Sequence, residues 1–106
     1  MAASRTPIAV ASGQRRIGEQ LATWRRLRRL TAAQVADRAG LSRHTVMRLE
    51  NGDGASLDSV LRVARALGVL DSLVESLDPY ATDVGRLRAD EALPERVRPP
   101  RSKPQP

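Results

Sequence analysis

The 106-residue chain contains no cysteine, which excludes a disulfide framework, a thiolate zinc site and a cysteine nucleophile. It has one histidine, His44, and a single imidazole cannot build a histidine metal site. No apolar run approaches the roughly 20 residues that a membrane helix needs. The opening stretch MAASRTPIAVASGQRR has too short an apolar segment for a signal peptide, and its basic residues follow that segment. These absences predict a cytoplasmic protein with no membrane partner. The parts of an enzyme are also missing: no nucleophile–base pair, metal cluster or glycine-rich phosphate loop is legible. GDG at 52–54 reads as a turn between helices, not as part of a GxGxxG motif. The expectation is a non-enzyme that needs neither metal nor cofactor. Strand alternation and internal repeats are absent as well, which leaves an all-α reading.

A chain of this length holds one small domain plus tails. Such a domain buries only part of its surface, so its stability is expected to be modest and open to support from a partner. Lys and Arg number 18 against 12 Asp and Glu, a formal charge of +6. The distribution says more than the total. Residues 1–29 carry seven Arg against one Glu, residues 30–78 five Arg against seven acids, and residues 79–106 six basic against four acidic residues. A basic head beside an acidic centre suits a protein that touches phosphate with selected surfaces. Charge alone is equally compatible with an arginine-rich, merely solvated surface, so the case must come from pattern.

Residues 1–11 are small, polar and punctuated by proline, and read as a flexible arm. The domain is expected over 12–78. Ile17, Leu21, Trp24 and Leu27 or Arg28 recur on one helical stripe, predicted to face inward, with Arg15, Arg16, Arg26 and Arg29 opposite. TAAQ at 31–34 is a capping box opening a second helix that Gly40 ends. Ser42 caps a third helix running to about Asn51. Ser56 caps a fourth, with apolar Leu57, Val60, Leu61, Ala64 and Leu67, and Gly68 ends it. A short fifth helix carries Leu73, Val74 and Leu77.

Two capped helices joined by a short glycine-containing turn are the helix-turn-helix signature. Here the unit spans 31–52, TAAQVADRAGLSRHTVMRLENG. Ala36 stands where the two helices must approach closely, Gly40 makes the turn, and Val46 and Leu49 lock the second helix on the core. Each feature is weak alone; together, at these offsets, they are specific. Arg43 and Arg48 can each place a two-donor fork on guanine O6 and N7. His44 can donate to a base or a phosphate. The helix start at Ser42 suits a phosphate.

The run from Ile17 to Leu77 resembles the XRE family, which includes the phage lambda and 434 repressors and their Cro proteins. The resemblance implies a five-helix phage-repressor-like bundle that binds double-stranded DNA, usually as a homodimer on an inverted repeat. It implies base contacts from Arg43, His44 and Arg48, with Met47 close by. It implies contacts to the sugar-phosphate backbone from Ser42, Thr45 and Asn51. Arg15 and Arg16 of the first helix are expected to add phosphate contacts. The family often joins an arginine late in helix 1 to a glutamate late in helix 3, which maps to Arg25 and Glu50 as a structural clamp. One departure stands out: Ala32 occupies a position where many members carry a phosphate-supporting Gln.

The stretch LDPYATDVGRLRADEALPERVR is similar to the tails of HipB-like antitoxins, which bind a HipA-type kinase toxin and repress their shared operon. That implies a nucleoid-associated bacterial repressor with a toxin partner; the alternative is a stand-alone or phage-type regulator. Residues 79–106 are expected to be partner-binding or disordered, with a weak helix capped by Thr82. Five prolines from Pro94 onward keep the end out of a helical core. Tyr80, Val84, Leu87, Leu93 and Val97 offer apolar anchors to a protein, while Arg96, Arg98, Arg101 and Lys103 would equally suit a basic arm on DNA.

Overall fold

The computed structural model describes residues 5–92. These form α1 (Ile8–Leu27), α2 (Ala32–Ala39), α3 (Arg43–Glu50), α4 (Leu57–Leu67), α5 (Leu70–Ser76) and α6 (Asp83–Ala92), with a 3-10 turn at Pro79–Ala81 between the last two. No strand occurs among the described residues. There are thus six α-helices where five were expected. The chain divides into two compact units after Asp71. The anchors Leu93 and Val97, the basic residues from Arg96 onward and the closing prolines lie outside the described residues.

The core of the first unit is built by α1 to α4. Val35, Ala36 and Ala39 of α2 meet Val46 and Leu49 of α3, Val63 and Leu67 of α4, and Leu21 of α1. Val35, Val46, Val63 and Leu67 are essentially sealed from solvent. Leu41, in the turn between α2 and α3, packs against this cluster.

Three expectations need correction. First, α1 begins at Ile8, so residues 8–11 of the expected arm are helical. Pro7 presets the chain for entry, and its carbonyl accepts from Val10 N and Ala11 N, both at 3.0 Å. Second, Ile17, Trp24 and Leu27 are not in the core; they are 44%, 40% and 66% exposed. The buried residues of α1 are Gly18, Leu21 and Ala22. At Gly18 the helix runs so close to the end of α3 that an added Cβ would collide with the Leu49 carbonyl and lie 2.6 Å from that of Glu50. One residue step turns a helix by about 100°, so directing Gly18 inward swings Ile17 and Trp24 to the side. Third, α4 is rotated likewise: Ser59, Val63, Ala64 and Leu67 are buried, and Leu57 is 71% exposed. In α5 no residue is buried, and Val74 is exposed, as is Leu77 just after it.

The first four helices end alike. The amides of Leu30, Leu41, Asp53 and Val69 reach back to the carbonyls of Arg25, Ala36, Arg48 and Ala64 at 2.9–3.0 Å. The residue before each has positive φ: Arg29 58°, Gly40 70°, Gly52 77° and Gly68 78°. This is the Schellman closure, which favours glycine at the left-handed position. Arg29 is the exception.

Candidate nucleic-acid interface

The start of α2 is fixed by Thr31, whose Oγ1 accepts from Gln34 N at 3.1 Å while Gln34 Oε1 accepts from Thr31 N at 2.8 Å. Ala32 is buried under this box, so its side chain does not reach the surface. Residues 40–42 then turn the chain. At the start of α3 the Ser42 hydroxyl accepts from Thr45 N at 3.1 Å, and the Ser42 and Thr45 hydroxyl oxygens lie 2.9 Å apart. Val46 and Leu49 hold α3 from beneath. With one side nailed to the core, the outer side is presented as a rigid ridge.

That outer side carries Arg43, His44, Arg48 and, at the helix end, Asn51, all exposed. Met47 differs: it is half-buried and packed against the core. Thr45 is also half-buried. Among the described residues Arg43 and His44 make no side-chain hydrogen bond, so their donors point to solvent. Arg48 is tethered: its Nη2 donates to the Asp53 carbonyl at 3.0 Å. It therefore lies toward the loop after α3, still with further guanidinium donors available.

Arg15 and Arg16 separate. Arg15 packs over that same loop: an added Cβ at Gly52 would be 2.8 Å from Arg15 Cα. Arg16 is one residue on and projects about 100° away. The structure thus gathers Arg15, Arg48 and Asn51 at one end of α3 and Ser42, Arg43 and His44 at the other.

Arg25 and Glu50 meet in a two-pronged ion pair, Nε to Oε2 at 2.7 Å and Nη2 to Oε1 at 3.0 Å. Their side chains are only 16% and 8% exposed. The hydrogen bond that Arg25 donates to Glu50 raises the Arg25 pKa above its ordinary value, burial opposes this, and the glutamate charge adds to it. Arg25 Nη1 also donates to the Leu30 carbonyl at 3.1 Å. One guanidinium thereby joins the end of α1 to the end of α3.

Arg28, named above only on the stripe of the first helix, and Arg62, which sequence reasoning passed over, have similar tasks. Arg28 Nε donates to the Leu67 carbonyl at 3.0 Å, and its guanidinium lies 5.2 Å from the centre of the Trp24 ring. Arg62 pairs with Asp58 at 2.8 Å and donates to the Ala39 carbonyl at 3.3 Å. Only the Asp58–Arg62 spacing, four residues along one helix, left a signal in the sequence. The described residues hold no cluster of His, Cys, Asp and Glu suited to a metal, and no described helix is long and apolar enough to cross a membrane.

A buried scaffold helix, a tight turn and a second helix with a cationic outer ridge define a helix-turn-helix module. The family model for the helix-turn-helix domain matches residues 16–77, and the chain belongs to that family, whose architecture supports a DNA-binding regulator. No curated protein and no solved structure matches the chain.

Proposed function

We propose that this protein is a sequence-specific transcriptional repressor, not an enzyme, that lays α3 in the major groove of double-stranded DNA. The observation that carries the reading is the ridge of Arg43, His44 and Arg48 on a helix whose opposite side is locked in the core. Arg43 and His44 read base edges, with Arg48 reading a base or the adjoining backbone from its tether at Asp53. Ser42, Thr45, Asn51, Arg15 and Arg16 fix the register on phosphates. Met47, half-buried, contributes through its exposed edge. A homodimer places two such ridges about one helical turn, roughly 34 Å, apart on an inverted repeat. Footprinting on DNA upstream of the gene tests this. Protection of an inverted repeat, weakening steeply with salt, is expected; equal affinity for that region and random DNA refutes it.

A finer reading makes the protein a HipB-like antitoxin that also binds a HipA-type kinase toxin. What favours it over a stand-alone regulator is the apolar surface of the second unit: Tyr80, Val84 and Leu87 are 47%, 69% and 60% exposed. An adjacent gene for a HipA-type kinase, and loss of that kinase from a pull-down when Val84 and Leu87 are changed to Asp, would support it. Retention of the kinase by that variant would refute it.

A further inference from the structure

The outer side of α1 has a pattern that neither the core nor the DNA-facing ridge uses. Val10, Gly13, Ile17, Gln20, Trp24 and Leu27 follow one another at steps of three, four, three, four and three. That is the spacing of a coiled-coil seam across three heptads. Val10, at 50%, is exposed like Ile17, Trp24 and Leu27. Val10, Ile17, Trp24 and Leu27 thus share one side of a helix about 30 Å long, with Gly13 and Gln20 between them.

We infer that this seam is the contact between two copies of the chain, packed antiparallel. The inference rests on the homodimer proposed above and names its surface. Centred between Ile17 and Gln20, an antiparallel arrangement sets Val10 opposite the partner's Leu27. It sets Gly13 opposite the partner's Trp24, and Ile17 opposite the partner's Gln20. The largest side chain thus meets the smallest. Gly13 supplies an open notch, since a Cβ built there has nothing within 4 Å. A parallel arrangement would stack Trp24 on Trp24 and leave Gly13 facing Gly13, overcrowding one layer and emptying another.

Charge selects the same orientation. From Ile8 to Gln14 the helix carries no charged residue, and its arginines, Arg15, Arg16, Arg25 and Arg26, all follow. Antiparallel packing lays the uncharged half of one copy along the arginine-bearing half of the other, and it opposes the two helix dipoles. The contact is isologous: each pairing occurs twice about one two-fold axis, which closes the assembly at two copies. It also accounts for a helix start at Ile8 that projects apolar side chains into solvent. One helix pair buries less than the roughly 800 Å² per partner of a standard stable interface, so the dimer dissociates on dilution.

The chain offers two clean probes, because it has no cysteine and only one tryptophan. Single-thiol variants Val10→Cys and Leu27→Cys are prepared and incubated in a glutathione redox buffer, separately and mixed. The expected product is a mixed disulfide-linked dimer, with neither variant linking to itself. Gly13→Leu fills the notch at an open position and replaces glycine with a better helix former, so circular dichroism should show the fold intact. Its self-association by sedimentation should weaken on the order of tenfold. The Trp24 emission of the unmodified protein should shift to the blue as concentration rises. A dimer that persists unchanged in Gly13→Leu, or Val10→Cys linking to itself, overturns the seam while the homodimer stands. A monomer at every concentration overturns both.

Discussion

Replacing Glu50 with Ala removes the acceptor for two of the three hydrogen bonds that Arg25 makes and leaves its charge in a place that is 16% exposed. Breaking a buried pair by deleting one partner costs about 3–5 kcal/mol, because the survivor is uncompensated. Arg25 keeps the Leu30 carbonyl at 3.1 Å and some access to water, which places the loss at the lower end, about 3 kcal/mol. For a domain of this size each kcal/mol moves the melting point by about 4–8 °C, so a fall of about 12–24 °C is expected. Adding Arg25→Met to Glu50→Ala removes the stranded charge and fills the space with an apolar chain of similar length. That double variant should recover most of the loss and melt within about 1 kcal/mol of the parent. Calorimetry or thermal circular dichroism on the parent, both single variants and the double variant closes the cycle. If Glu50→Ala moves the melt by only a few degrees and Arg25→Met restores nothing, the pair behaves as an ordinary surface bridge. The reasoning from burial is then refuted.

Other outcomes follow from single positions. Arg29→Gly relieves a left-handed residue at the end of α1 and should raise stability by about 1 kcal/mol, read as a higher melting point; a lower one would show that the Arg29 side chain holds the turn. Gly18→Ala drives a Cβ into the Leu49 and Glu50 carbonyls and should cost at least about 1–3 kcal/mol; unchanged denaturant unfolding would contradict the close approach. Arg43→Ala should lose about 1–3 kcal/mol on the cognate operator and far less on random DNA. Arg15→Ala should weaken both equally and lower the salt slope by about 0.9.

The helix-turn-helix was legible because its signals are local. Thr31 with Gln34, Ser42 and Ser56 are caps read from side-chain chemistry, and Gly40 and Gly68 are stops read from backbone freedom. The inward residues Ala36, Val46 and Leu49 lie on short helices bounded by such signals. What failed to show is set by tertiary packing. The rotation of α1 depends on where its one inward glycine touches α3, so Leu21 of the expected stripe is buried while Ile17, Trp24 and Leu27 are not. In α4 the small Ser59 turned inward because Ser56 and its own hydroxyl satisfy it, and this displaced Leu57. Helix α6 was underrated because its stability is built from turn chemistry: Thr82 Oγ1 accepts from Gly85 N at 2.9 Å, and Gly85 allows the Pro79 carbonyl to come close. The exposed ridge of α3 was visible in outline, yet the tether of Arg48 to a backbone carbonyl five residues on leaves no trace in residue types.

The arginine content takes on a different meaning once the helix ends are compared. Each of the first four helices closes on a turn whose carbonyls are partly unsatisfied, and near each stands a guanidinium. Arg25 reaches Leu30 after α1, Arg62 reaches Ala39 at the end of α2, Arg48 reaches Asp53 after α3, and Arg28 reaches Leu67 at the end of α4. A cation at a helix C-terminus is favoured by the dipole, and the forked donors of arginine can serve a carbonyl and a second acceptor together. Arg25 does so with Glu50 and Arg62 with Asp58. Four of the 18 basic residues therefore serve helix ends, and the excess of +6 is not by itself a footprint of nucleic acid. The case for DNA rests instead on where unpartnered donors stand together on a rigid helix. Arg43 and His44 have no side-chain partner among the described residues, and they stand side by side at the start of α3, which Val46 and Leu49 hold in the core.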